Sequence, residues 1–213
     1  MRVFRSDLLA FLPQLTLDTA SLAGMLSMIG HESEVINDGE LEVKVFPSRG
    51  DVLSLRGLTR DLAALRPEVG EWVDCPVAQL PEPTDFFSLT IDPRAQRYVY
   101  ADHLILLSNY RPTASPEKIR RLLRPLGLQP KDLLVDLTNI ITYETGQPLH
   151  AFDFDSIAAG MTLDLSRSGE SFVALNNKKI ELESDLLIAR HAITKDVVDL
   201  VGTIGGKNSS AQL

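Results

Sequence analysis

Three polar side chains within residues 135–155 have the chemistry needed for hydrolysis. The segment reads VDLTNIITYETGQPLHAFDFD. His150 is the side chain best suited to proton transfer near neutral pH. The hydroxyl of Thr138 and the amide of Asn139 can orient a water molecule or hold a carbonyl oxygen. A site in which these three side chains meet would support acid–base chemistry on a carbonyl group.

A strand followed by a turn would position these side chains. Residues 135–141 are rich in β-branched and apolar types, which predicts a strand or a strand-to-helix transition. Gly146 permits a positive φ, and Pro148 holds Gln147 out of the helical region. We therefore expect a turn that brings the imidazole of His150 close to the hydroxyl and the amide.

A simpler interpretation of the same residues stays open. Polar residues at turns are usually local hydrogen-bonders, so Thr138 and Asn139 would satisfy backbone groups of the turn. His150 would then be a half-buried structural residue. Spacing alone does not separate this interpretation from the catalytic one.

Composition is that of a cytoplasmic globular protein. The chain has 213 residues, of which 44% are hydrophobic and 23% are charged, which suits one large or two small domains. No apolar run approaches the roughly 20 residues of a membrane span, and the N-terminus lacks a signal region. The single cysteine, Cys75, excludes an internal disulfide and has no neighbours at zinc-ligand spacing.

Net charge argues against general adhesion to nucleic acid. The formal charge is -8 and the sequence pI is about 5.0, whereas phosphate contacts depend on clustered Lys and Arg. The densest cationic stretch, residues 118–124, is either a solvated helix face or a local contact. No glycine loop followed by Lys-Ser or Lys-Thr is present, so we assign no ATP chemistry to this chain.

The secondary-structure pattern predicts an α+β (mixed α/β) fold in two domains. Residues 1–66 read as a small α/β domain, with a helix capped by Asp18 or Thr19 and another capped by Asp51 or Ser54. Residues 67–85 are rich in Pro and acidic residues and read as a linker. Residues 86–213 read as a larger mixed-sheet domain.

Strands and one helix are expected within the larger domain. The predicted strands are 86–91, 98–106, 161–166 and 185–189, together with a hairpin of 172–175 and 180–182. A helix should begin after Ser115 as N-cap and Pro116 as first residue. The glycine-rich loop 201–210 can bring backbone close to a ligand.

Residues 135–153 resemble the signature of the β subunit of bacterial phenylalanyl-tRNA synthetase. The matching motifs are VDLTN and ETGQPLHAFD, which lie in the domain that hydrolyses tyrosine wrongly attached to the phenylalanine tRNA. A Ser-Pro helix followed by Gly-x-x-Pro, and the Gly-x-x-Gly-Gly loop ending at Gly206, are also similar to that family.

The resemblance implies a role for each site residue. His150 and Asn139 would position a hydrolytic water, with Thr138 and Pro148 shaping the pocket. The residues it assigns to substrate binding are Pro148, Gln147, Gly205, Gly206 and Lys207, and it implies no metal ligand. ATP and Mg²⁺ would serve the whole synthetase, and the expected partners are an α subunit, in a heterotetramer, and the phenylalanine tRNA.

The chain departs from the family pattern in four places. A turn at residues 37–39 stands where the typical subunit has an inserted oligonucleotide-binding barrel. Lys207 replaces a glutamate that reads the tyrosine hydroxyl, and Arg190 replaces an acidic residue. The chain also ends at Leu213, where the family's editing domain continues, so the domain is expected to be incomplete.

Two alternative functions remain open from the sequence. The editing fold could persist without chemistry, as a structural or tRNA-docking module of the synthetase. The chain could instead be a free-standing hydrolase acting in trans on misacylated tRNA. Lys207 motivates the first alternative, because an ammonium group cannot accept the phenolic proton.

Overall fold

The computed structural model describes residues 1–65 and 86–211. These residues form two compact units, one containing residues 1–65 and 113–149 and the other containing 86–112 and 150–211. The division differs from the continuous domains 1–66 and 86–213 expected from the sequence, because 113–149 belongs to the first unit. The expected linker, 67–85, lies outside the described residues. Within the described ranges, no helix is long and apolar enough to cross a membrane.

The first unit combines a three-stranded antiparallel sheet, in the order β1-β3-β2, with five helices in its described part. Its elements are β1 (Arg2–Phe4), α1 (Arg5–Leu9), α2 (Thr19–Met28), β2 (Ser33–Asn37), β3 (Glu40–Val43), α3 (Leu55–Leu65), α4 (Glu117–Leu123) and α5 (Leu133–Thr145). Strands β2 and β3 form a hairpin around the turn predicted at residues 37–39.

Side-chain caps fix the starts of α2 and α3. The carboxylate of Asp18 accepts a hydrogen bond from the backbone N–H of Ser21 at 2.7 Å. The hydroxyl of Ser54 accepts one from the N–H of Gly57 at 3.0 Å. Each cap satisfies an amide that the helix itself leaves unpaired. Both helices then pack fully buried leucines, including Leu22 and Leu58, into one core.

Helix α5 already begins at Leu133, so the strand or strand-to-helix transition predicted for residues 135–141 is wrong. The side chain of Asp132 caps the helix by accepting from the N–H of Leu134 at 2.9 Å. The hydroxyl of Thr138 donates to the carbonyl of Val135 at 2.7 Å, within the same helix. Threonine tolerates helical backbone through such bonds, so the β-branched composition misled the prediction. Gly146 ends the helix with φ of 79°.

The N-cap of α4 is Pro116, so the prediction of Ser115 as the cap is wrong. The hydroxyl of Ser115 instead donates to the buried carboxylate of Asp136 at 2.6 Å. The hydroxyl is therefore used in packing α4 against α5.

The cationic stretch 118–124 is partly consumed by the fold. Arg121 pairs with the buried Asp7 at 2.9 Å, and Arg124 pairs with Glu117 at 3.2 Å. The guanidinium of Arg120 donates to the carbonyl of Ser115 at 2.7 Å. These contacts favour the interpretation of a helix face over a dedicated nucleic-acid patch.

The second unit is built on a five-stranded sheet of order β10-β9-β8-β5-β4. Its elements are β4 (Leu89–Ile91), α6 (Phe154–Ile157), β5 (Met161–Leu165), β6 (Ser171–Val173), β7 (Lys179–Glu181), β8 (Leu187–His191), β9 (Val197–Leu200) and β10 (Ile204–Gly205). Only β4 and β5 pair in parallel within this sheet. The hairpin β6–β7 and the strands β5 and β8 confirm the corresponding predictions.

The strand predicted for residues 98–106 is wrong. Tyr98 ends a 3₁₀ turn, Gln96–Tyr98, and no strand is assigned between there and residue 110. Alternating apolar residues form a strand only when a neighbouring strand pairs with them. The side chain of Tyr100 is 97% exposed. The pattern in this segment therefore does not correspond to a buried sheet face.

The two faces of the large sheet carry separate apolar clusters. Phe172, Ala174, Leu182 and Ile188 form the buried part of one cluster. Ile157, Met161, Ala189 and Val198 form the buried part of the other. Adjacent residues on a strand project to opposite faces, which places Ile188 and Ala189 in different clusters.

Arg190 is held in a buried ion-pair network. Its guanidinium donates to Asp164 at 2.8 Å and to Glu170 at 2.7 Å, and Asp164 also binds Arg94 at 2.5 Å. Burial opposes ionisation of Asp164, but the hydrogen bonds from Arg190 and from the backbone of Leu165, together with the charges of Arg94 and Arg190, outweigh it, so the pKa of Asp164 is lowered. The departure from the family at Arg190 is therefore matched by two carboxylates of the same unit.

Replacing Arg190 should destabilise the second unit in a pH-dependent way. Arg190→Leu leaves Asp164 buried beside only one cation, which should cost about 3 kcal/mol at pH 7. Because the folded pKa of Asp164 is below its unfolded value of about 4, the pair's contribution is present above that pH. It should fade as the pH falls below it. Urea unfolding from pH 7 to pH 3 measures this.

The exposed Arg167 supplies the control. Arg167→Leu should change stability by less than about 0.5 kcal/mol. An Arg190→Leu protein as stable as the wild type at pH 7 would show that the network contributes nothing.

Candidate functional site

His150 lies against the glycine hairpin of the second unit. A Cβ atom built on Gly205 would fall 1.9 Å from Cε1 of the imidazole, so the ring is in contact with bare backbone. The ring of Phe152 packs edge-on against the imidazole, with centroids 4.4 Å apart and an interplanar angle of 69°. The ring is thus held on two sides, by Gly205 and by Phe152.

The environment of His150 favours its neutral form. Its Nε2 atom is buried and has no hydrogen-bond partner in the described part of the chain. Burial lowers the pKa of His150 from its usual value, because the charged ring loses hydration. A neutral imidazole has one nitrogen that can accept a proton. This ring therefore has the electronic state of a general base.

The hairpin of β9 and β10 requires glycine at both positions 205 and 206. The N–H of Gly206 donates to the carbonyl of Val198 at 2.8 Å, and a Cβ on Gly206 would lie 2.7 Å from that carbonyl oxygen. Gly206 is thus required by the backbone of the neighbouring strand. Gly205 is required by the ring of His150.

Lys207 follows directly after the glycine pair and is exposed. Its backbone N–H donates to the carbonyl of Val173 at 2.8 Å. Within residues 1–65 and 86–211, its ammonium group has no hydrogen-bond or ion-pair partner. The backbone of Lys207 is fixed by the sheet while its cation is left free for solvent or a ligand.

The remaining predicted site residues belong to the first unit. Thr138 and Asn139 lie on α5, and Gln147 and Pro148 are exposed after its end. The amide of Gln147 makes only a long contact of 3.5 Å, to the carbonyl of Pro148. The second unit brings His150, Gly205 and Gly206 together. The roles of the four residues in the first unit stay predictions.

Asp199 is a site candidate that the sequence did not reveal. It lies on β9 directly opposite Gly205, is 8% exposed, and has no hydrogen-bond partner among the described residues. Burial raises the pKa of its carboxyl to about 7. The available signal was an acidic residue inside the apolar run VVDLV, but strand pairing was needed to place it beside Gly205.

No metal site is formed by the part of the chain that the structure describes. Groups of three or more His, Cys, Asp or Glu side chains with suitable geometry are absent from it.

One protein-family model matches more than half of the chain. It describes the B3/4 domain and covers residues 97–213. That range contains the glycine hairpin and His150.

Curated relatives match most of the chain, which spans about a fifth of their own length. The phenylalanine–tRNA ligase β subunit of Aquifex aeolicus is 30% identical over 184 residues, covering 83% of this chain and 22% of the relative. The β subunits of Chromobacterium violaceum and Salinibacter ruber are 35% and 34% identical over 177 and 180 residues. The two matches cover 82% and 81% of this chain, and 22% and 20% of the respective relatives.

A solved structure is also similar to this chain. It is an N-terminal fragment of the phenylalanyl-tRNA synthetase β subunit from Pyrococcus horikoshii, with a TM-score of 0.45 and 13% identity. The similarity covers 100% of this chain and 64% of that one.

Alanine at the two glycines should have different effects. Gly205→Ala should push the imidazole of His150 toward solvent, because a side-chain ring can move, and so raise its pKa toward about 6.5. Gly206→Ala meets a backbone carbonyl and should cost about 1–3 kcal/mol of stability. NMR titration of His150 and urea unfolding measure the two effects.

Gly24 provides the control, because a Cβ at that helical position has nothing within 4 Å. Gly24→Ala should leave both the histidine titration and the fold intact. An unchanged His150 pKa in Gly205→Ala would mean that burial of the ring does not depend on the absence of a side chain at position 205.

Proposed function

The chain belongs to the B3/4 domain family, and from this premise we propose that it works as part of the β subunit of a phenylalanyl-tRNA synthetase. In that role it would contribute to joining phenylalanine to its tRNA together with an α subunit. The names of the relatives support the assignment. ATP and Mg²⁺ would be used by the whole synthetase, and no residue of this chain is assigned to them.

The proposed activity of the second unit is hydrolysis of tyrosine misattached to the phenylalanine tRNA. One observation carries the proposal: the buried Nε2 of His150 has no partner although the ring is fixed between Gly205 and Phe152. Buried polar atoms are nearly always satisfied in folded proteins. An unsatisfied imidazole nitrogen in a fixed ring is an expected feature of a base that acts on a bound water or substrate.

The reaction would use His150 as general base. The neutral imidazole accepts a proton from water, whose oxygen attacks the ester carbonyl carbon. The bond from that carbon to the ribose oxygen then breaks, and the imidazolium returns its proton to the leaving oxygen. Since the pKa of His150 is lowered, the active base form should persist to a lower pH than for an ordinary histidine. The roles of Asn139 and Thr138 in orienting the water rest on the family resemblance.

A non-catalytic docking module is the second candidate. Lys207 favours it, because its free cation stands where the resembling family has an acceptor for the tyrosine hydroxyl. A cation beside the glycine pair would instead suit a phosphate of the tRNA. This candidate requires normal assembly of the synthetase without any deacylation. A trans-acting hydrolase would require the chain to deacylate misacylated tRNA by itself.

Removing the imidazole should abolish most of the deacylation. His150→Ala is expected to slow release of tyrosine from tyrosyl-tRNA by about 100-fold or more, the usual contribution of a general base. The rate is measured with the 213-residue chain and with the assembled synthetase. His103→Ala is the matched control, because His103 is exposed and should not affect the rate.

The outcomes separate the candidates. An unchanged rate in His150→Ala contradicts the role given to His150. The absence of deacylation in the wild-type synthetase, with normal assembly, favours the docking module. Activity of the isolated chain alone favours the trans-acting hydrolase.

Restoring an acceptor beside the glycine pair should sharpen selectivity. Lys207→Glu is expected to raise the ratio of tyrosyl-tRNA to phenylalanyl-tRNA deacylation by about tenfold or more, because a carboxylate can accept the phenolic proton. Lys178→Glu, at another exposed lysine, makes the same charge change elsewhere and should leave the ratio unchanged. Equal ratios in the wild type and Lys207→Glu would mean that position 207 does not read the substrate.

A further inference from the structure

Asp199 lies in a row of small residues that crosses three strands. Its register partner on β8 is Ala189, and its partner on β10 is Gly205. Directly opposed residues of antiparallel strands project to the same face, with Cβ positions about 5 Å apart. The carboxyl of Asp199 therefore stands between an alanine and a glycine. Neither neighbour has a side chain large enough to cover it from within the row.

His150 occupies the same face of the sheet. A Cβ on Gly205 would point directly at the imidazole, so the ring lies above Gly205 on the side to which Asp199 projects. The separation between the ring and the aspartate is thus roughly one strand spacing, about 5 Å. The carboxyl of Asp199 and the unpartnered Nε2 of His150 thus lie on the same face of the sheet, where Phe152 packs against the imidazole.

A β-bulge lies immediately beside Asp199. Ala189 pairs with Asp199, whereas Arg190 pairs with Val197, so Val198 is an extra residue in β9. Bulges re-aim side chains and occur often next to active sites. Val198 and Asp199 are each 8% exposed. The bulge therefore lies next to Asp199, on the part of the sheet that faces His150.

A purely structural role does not account for Asp199. Asp199 is 8% exposed, but its oxygens are not among the fully enclosed unpaired atoms, so they keep access to solvent or to a ligand. Asp164, the other acid of this sheet, shows the usual arrangement of a buried carboxyl, because Arg190 and Arg94 both bind it. Asp199 has no such cation or hydrogen-bond donor within the described residues. The partner that it lacks in the chain is best supplied by a ligand.

Distance decides which ligand group would reach it. In an aminoacyl ester, the α-nitrogen lies about 2.5 Å from the carbonyl carbon on which His150 would act. The hydroxyl of a tyrosine side chain lies at the far end of the ring, well beyond that distance. With the aspartate and the imidazole only about one strand spacing apart, the α-amino group is the donor that fits.

We propose that Asp199 is a recognition residue that binds the α-ammonium group of the aminoacyl ester at the His150 site. The identity of the ester, and with it the choice of the α-amino group, rests on the proposed function. Burial raises the pKa of the free carboxyl to about 7, and a bound ammonium ion would favour its ionised form. The amine and the carboxylate would then compensate each other's loss of hydration.

Two stable adenosine probes test the proposal. One carries L-tyrosine joined through a 3′-amide that cannot be hydrolysed, and the other is its counterpart without the α-amino group. Calorimetry on the complete chain should give at least tenfold tighter binding of the amine probe to the wild type. Asp199→Asn should remove that preference and leave binding of the amine-free probe unchanged.

Asp196→Asn is the matched control, because Asp196 is exposed and lies three residues away on the approach to β9. It should behave as the wild type. NMR titration of the Asp199 carboxyl in the wild type provides a measurement that needs no variant. Saturating amine probe should lower its pKa by at least one unit, and the amine-free probe should not.

Three results would overturn the proposal. They are a wild type without preference for the amine, an Asp199→Asn protein that keeps the preference, and an equal loss of both probes in that variant. Failure of the proposed function looks different, since an amine preference that depends on Asp199 can be present without any deacylation that depends on His150. That combination would keep Asp199 as a recognition residue and exclude the proposed hydrolysis.

Discussion

The lack of side chains at Gly205 and Gly206 is the constraint on which the second unit's site depends. At Gly206 the backbone comes so close to the carbonyl of Val198 that a Cβ would lie 2.7 Å from it. At Gly205 the open backbone receives the ring of His150. The imidazole is buried because it rests on this bare strand, and its basicity falls because it is buried. One hairpin thus fixes both the sheet edge and the protonation state of the candidate base.

The large sheet separates its satisfied charges from its unsatisfied ones. Residues two apart on a strand share a face, so Arg190 projects with Ile188 and meets Asp164 there. Asp199 projects to the other face, beside Ala189, and meets no cation in the described chain. The same residue type is therefore structural on one face and a candidate for binding on the other. Arg190, which replaces an acidic residue of the family, therefore has a structural role on the face of Asp164.

Sequence could predict the local elements better than the long-range pairings. Caps at Asp18 and Ser54 and the strands around residues 161–191 follow from short-range chemistry and alternation. Helix α5 escaped prediction because threonine hydroxyls bond within the helix and offset its β-branched composition. His150 and the glycine pair were identified by motif. Asp199 was not, because its position follows from a register that no local pattern encodes.

The parallel pairing of β4 with β5 has a consequence for how the protein is made. Thr90 and Thr162 face each other across a sequence separation of 72 residues, and residues 113–149 between them belong to the other unit. At synthesis rates of about 5–20 residues per second, β4 leaves the ribosome roughly 4–14 seconds before its partner. During that interval its backbone amides and carbonyls have no sheet to join. Nascent chains of this protein should therefore pass through a stage at which β4 has emerged and its sheet partner has not.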